Sequence, residues 1–92
     1  VYVGKINKLY NKFKNKKIGI LCFDKKYDFI DEKRQILLTE NSSLEEASKN
    51  FYLSLYKLDS LNDIDLILTS YVPNFSIGRS INDRIRKCSE NE

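Results

Sequence analysis

Positions 76–87, Ser-Ile-Gly-Arg-Ser-Ile-Asn-Asp-Arg-Ile-Arg-Lys, hold the residue types in this chain best suited to recognition. A glycine in the first turn of a helix, here Gly78, lets a second backbone or a ligand come close. Free N–H groups at such a helix start attract anions. Arg79 adds charge there, and Asn82 and Arg84 project from the polar side of the same helix. A guanidinium can hold a carboxylate or phosphate through two parallel hydrogen bonds. The competing description is a closing helix with solvated cations, and residue physics alone favours it.

Other chemistry is thin. The chain contains no histidine, so histidine-based nucleophilic triads and the usual zinc hydrolases have no basis here. The nearest approach to a phosphate-cradling loop is Gly4-Lys5 after Val-Tyr-Val, which lacks the remaining glycines of either nucleotide-binding fingerprint. Asp63 and Asp65 pair two carboxylates, but at a helix-to-strand boundary, where charge marks the end of an element. Cys22 sits in an apolar run and Cys88 on an apolar helix stripe, which describes two reduced thiols acting as small hydrophobes. No catalytic residue and no metal site is assigned.

The elements that must position these residues follow from periodicity. Val-Tyr-Val at 1–3 is a short strand. Ile6, Leu9, Tyr10 and Phe13 recur at helical spacing and predict a helix over 5–15, with lysines on its other side and at its end. Residues 17–24 form a continuous apolar run bounded by charge, the pattern of a strand covered on both faces. A second run, 34–40, follows only about nine residues later. That is short for a parallel crossover, so it is expected at an edge or in antiparallel pairing.

Ser43 and Glu46 have the spacing of a capping box, opening a helix that runs to about Leu61. Its core stripe is Leu44, Ala47, Phe51, Leu55 and Leu58, flanked by Tyr52 and Tyr56, with Leu53 on the opposite side. Apolar residues nearly all round this helix predict burial on two sides or contact with another domain. Residues 64–72 form a third buried strand, ended by Pro73, and Ser76 is placed to cap the last helix, whose stripe is Ile77, Ile81, Ile85 and Cys88. Strands alternating with amphipathic helices predict an open α/β sheet of about four strands with helices on both faces. The strand order 3-2-1-4 is the expectation from right-handed crossovers.

Composition sets the outer bounds. Ninety-two residues, 41% hydrophobic and 32% charged, make one ordinary globular domain. No apolar run reaches the ~18 residues of a membrane span, and the expected compartment is the cytoplasm. The absence of methionine reads as a piece of a longer protein. Residues 1–39 hold ten basic against four acidic side chains, a net +6, but almost all of the excess is lysine in a chain also crowded with Asn, Ile and Tyr. That is a compositional bias more than a nucleic-acid patch, so direct nucleic-acid binding is not expected.

The second half of the chain resembles the end of the two-domain threonylcarbamoyl-AMP synthases. The likeness rests on an Ala-x-x-Asn-aromatic helix start (Ala47 to Phe51), a Leu58-Asp59 helix end and an Asp-hydrophobic-Ile-Leu strand (Asp65 to Leu68). It closes on a Gly-x-x-Ile-x-Asp-Arg-hydrophobic-x-Lys helix, matched by Gly78, Ile81, Asp83, Arg84, Ile85 and Lys87. The resemblance implies a Rossmann-like, non-catalytic accessory domain, with an N-terminal YrdC-like catalytic domain and a linker as its partners in cis.

In such a parent, ATP and a divalent metal ion serve the joining of threonine and bicarbonate into threonylcarbamoyl-AMP, which feeds tRNA modification. The catalytic domain's motifs and a linker of the Lys-Tyr-x-His-Tyr-Ala-Pro type are absent from these residues. This chain also has Ser76-Ile77 where a Gly-Leu pair often precedes the glycine. Gly78, Arg79, Asn82 and Arg84, with Asn50 and Asp59, are the candidate contacts to the rest of the enzyme or to a ligand. The alternative is a stand-alone α/β module binding a small anion or nucleotide at the Gly78–Arg79 helix start.

Overall fold

Every residue of strand β2 (Ile18–Cys22) is buried, although side chains of a strand point alternately to opposite faces. Both faces of the sheet must therefore be covered, and two separate clusters do so. On one face Ile18, Ile20 and Cys22 pack with Ile6 and Leu9 of helix α1 (Ile6–Phe13). On the other, Leu21 joins Ala47, Phe51 and Leu58 of α2 (Leu44–Asp59) with Ile81 and Ile85 of α3 (Ile77–Cys88). The computed structural model describes residues 1–89, and the expected α/β architecture with helices on both faces is what it contains.

Four parallel strands form the sheet, in the order β1-β4-β2-β3, where β1 is Tyr2–Val3, β3 is Gln35–Leu37 and β4 is Leu66–Thr69. This corrects the expected order 3-2-1-4. The α1 crossover from β1 to β2 leaves one strand's width between them, and β4 fills it, with Ile18 opposite Leu66 and Tyr2 opposite Leu68. The reason lies in length and polarity. Only β2 and β4 are long and apolar enough to be central, while the two-residue β1 and three-residue β3 take the edges.

Strand β3 sits at an edge, as one of the two expected arrangements has it, but pairs parallel with β2. Its short connection works without a crossover helix because the Gln35 amide pins the loop 23–34. Gln35 Oε1 accepts from the Tyr27 N–H at 2.7 Å, and Nε2 donates to the carbonyls of Tyr27 and Ile30 at 2.9 and 3.1 Å. One buried side chain thus satisfies three backbone groups that lack ladder partners.

Helix α2 starts as its sequence predicts, with Ser43 Oγ accepting from the Glu46 N–H at 3.1 Å. The reciprocal half of the capping box is not made by Glu46. The Ser43 N–H donates instead to Thr39 Oγ1 at 3.1 Å. The helix ends at Asp59, two residues before the predicted Leu61, where the Ser60 hydroxyl donates to the Tyr56 carbonyl at 2.8 Å. Among the described residues, no helix is long and apolar enough to cross a membrane.

Both cysteines are free thiols. Cys22 lies against the α1 face, and burial pushes its thiol up to about 11, well above the usual range near 8.5. Only the thiolate is nucleophilic. At pH 8, iodoacetamide should therefore label Cys88 in the native protein and reach Cys22 only in urea, which peptide mapping would reveal. The unfolded thiol ionises first, so Cys22 lowers stability as pH rises from about 8.5 towards 11. Cys22→Val should flatten that part of the pH–stability curve.

Candidate functional site

The Gly-Arg start of α3 is built by a tight turn. Phe75 and Ser76 carbonyls accept from the N–H groups of Gly78 and Arg79, at 2.9 and 3.2 Å. The Gly78 and Arg79 donors of the first helical turn are thereby engaged with the chain's own backbone. A Cβ on Gly78 would lie 1.9 Å from the Pro73 carbonyl oxygen, so the close backbone approach that glycine permits is made by the chain itself. Ser76 occupies the cap position without a side-chain cap bond, correcting the expected role. Its φ of 54° and ψ of −133° belong to a conformation that glycine adopts freely and other residues adopt under strain. This is the position at which the resembled family often carries glycine.

Asn82 is 2% exposed and spends its amide on the β4–α3 loop. Its Oδ1 accepts from the Val72 N–H at 2.8 Å, and its Nδ2 donates to the Val72 carbonyl at 2.9 Å and to Asn74 Oδ1 at 3.2 Å. Arg84 reaches across to α2, donating to Ser48 Oγ at 3.2 Å and stacking its guanidinium 5.5 Å from the Tyr52 ring centroid. Asn50 donates to the Leu38 carbonyl at 2.9 Å, tying α2 to the end of β3. Arg79 is exposed to solvent. These four and Gly78 therefore do not converge on one site. Gly78, Asn82, Asn50 and Arg84 all make contacts within the domain.

Asp59 is the exception. It lines a groove of about 760 Å³ between the C-terminal half of α2 and the N-terminal ends of β1 and β4. Val1, Tyr52, Leu55, Tyr56 and Ile64 supply most of its apolar wall, and Lys16 and Asp65 its rim. The sequence signal for it was the run of apolar residues round α2. Tyr52 and Tyr56, 58% and 70% exposed, are indeed left in solvent on the face that looks into the groove. Nothing in the sequence indicated that Val1 and the 64–67 segment would complete it.

Ionised groups elsewhere serve the scaffold. Asp63 is held below the usual carboxylate range by its hydrogen bond from Arg34, 2.9 Å away, which ties the β3 edge to the turn before β4. Asp83 is lowered by Lys87 one helical turn on, at 3.1 Å, and secondarily by Arg86. Among the described residues, no group of three or more His, Cys, Asp and Glu side chains is placed to hold a metal ion.

These contacts fix the cost of disturbing the α3 start. Asn82→Ala leaves both buried backbone groups of Val72 without their partner and should cost about 3 kcal/mol in urea denaturation. Gly78→Ala should cost at least about 2 kcal/mol, because the new methyl meets a backbone oxygen. Ser76→Gly relieves the strained φ and, after the added freedom of the unfolded chain, should raise stability by about 0.5–1 kcal/mol. A destabilised Ser76→Gly protein would contradict the strain argument.

Comparison with known proteins returns one family. No curated protein and no solved structure matches the chain. The model of the family described as "Threonylcarbamoyl-AMP synthase, C-terminal domain" matches residues 4–89, which take in β2, β3, β4 and all three helices and leave out β1. The chain belongs to the threonylcarbamoyl-AMP synthase C-terminal domain family.

Proposed function

We propose that this chain is the non-catalytic accessory domain of a threonylcarbamoyl-AMP synthase. The parent enzyme joins threonine, bicarbonate and ATP into threonylcarbamoyl-AMP with release of pyrophosphate, in the cytoplasm, and its product serves N6-threonylcarbamoyladenosine modification of tRNA. The observation that carries this reading is the family match over 4–89. The disposition of the motif residues supports the accessory role. Gly78, Asn82 and Arg84, the most distinctive members of the closing helix, hold the domain's own loop and α2.

The same reading assigns ATP and any divalent ion to the N-terminal catalytic domain. The residues here do not fit either group. Among the described residues there is neither a metal-ligand cluster nor a glycine-rich loop at a strand-to-helix turn, and the Gly78 and Arg79 N–H groups in the first turn of α3 are already bonded to backbone carbonyls. What the chain does offer its parent is a rigid two-faced sheet and the exposed aromatic side of α2.

A direct assay tests the assignment. The purified 92-residue chain, given ATP, Mg²⁺, threonine and bicarbonate, should release no threonine-dependent pyrophosphate above the protein-free rate. The longer protein that contains it should do so. Pyrophosphate release by the short chain alone would overturn the accessory reading.

A further inference from the structure

We infer that the groove under α2 is occupied by the stretch of parent chain that leads into Val1, an extended apolar segment carrying a basic side chain. The inference rests on the proposed function, since that reading is what places further chain ahead of Val1.

Three observations converge on it. Val1 and Tyr2 are themselves wall residues of the groove, so a chain entering Val1 arrives at its mouth. A tether of a few residues gives such a segment an effective concentration in the millimolar range, enough to fill even a weak site. The groove is also made for a hydrophobic occupant. Tyr56 is 70% and Tyr52 58% exposed, on a helix whose opposite face is fully buried, and Leu55 and Ile64 are only partly covered. Large exposed aromatic side chains beside a concave surface mark an interaction site.

Charge narrows the occupant further. Asp59 and Asp65 line the groove with Lys16 as the one cation among its lining residues; Asp65 Oδ2 also accepts from the Lys17 N–H at 3.0 Å, while the α2 carbonyl end adds its negative dipole beside Asp59. That balance suits a cation placed among apolar side chains. The Tyr52 ring is braced by the Arg84 guanidinium, 5.5 Å from its centroid, and by the Phe51 ring at 5.2 Å.

Thiol labelling tests the placement. In a Cys88→Ser background, Tyr56→Cys should react quickly with a maleimide in the 92-residue chain and at least tenfold more slowly in the full-length enzyme. Leu53→Cys, 57% exposed but outside the groove, should keep its rate in both. Nitration of the unaltered proteins by tetranitromethane gives the same comparison at Tyr52 and Tyr56 without substitution.

Equal rates at position 56 in the two proteins would overturn the inference. So would a slowing that grows with protein concentration, which would assign the face to a second copy. Threonine-dependent turnover of the same full-length preparation separates the two failures. Turnover with position 56 open leaves the function standing without the docking. A protected position 56 without turnover leaves the docking standing without the function.

Discussion

A sheet covered on both faces has nowhere to put an unpaired peptide group, and this fold solves that constraint with three side-chain amides. Gln35 closes the loop before β3, Asn50 ties the end of β3 to α2, and Asn82 holds the loop between β4 and α3. Each sits where the strand ladder stops and the chain must turn under cover. A carboxamide carries a donor and an acceptor with the geometry of a peptide group, so Gln35 and Asn82 each bond donor and acceptor groups of one loop residue, as a strand would. Without them the connections would need either water or longer, solvated paths.

The topology depends on those amides. Placing β4 between β1 and β2 makes the central pair β2–β4 almost wholly aliphatic and leaves short strands at both edges. The β2–β3 connection can then remain a loop because Gln35 organises it, and α2 is free to cross back over β2 to reach β4. The α3 start is the most compressed point of the result. Pro73 presses its carbonyl on Gly78 while Ser76 carries a backbone conformation that favours glycine. Compression of this kind serves packing. The proposed recognition surface lies elsewhere, on the opposite end of the sheet, where α2 leaves two tyrosines and Asp59 beside a groove.

That arrangement divides the candidate residues by role. Gly78, Asn82, Asn50 and Arg84 act within the domain: they share no ligand and secure the joints among β3, α2, α3 and the loop before α3. Asp59, at the end of α2, faces outward. Fold and recognition are therefore interleaved along α2, with Phe51 and Leu58 buried in the core and Tyr52, Tyr56 and Asp59 one step round the helix.

The sequence by itself determined the elements and their faces. The fully apolar run at 18–22, the helical stripes through Ile6 and Leu9, Ala47 and Phe51, and Ile81 and Ile85, and the Ser43 cap are local patterns, and a local pattern is legible because it is decided by neighbours within a turn or two. It also carried a warning in the apolar girth of α2. Tertiary structure alone decided the insertion of β4, because strand order reflects which strands can be buried on both sides, a comparison across the whole chain. It alone turned Ser76 from a cap into a strained turn and Gly78 from an anion site into a seat for Pro73. And it alone brought Val1 to the tyrosines of α2, since contacts between residues some fifty positions apart leave no period in the sequence to read.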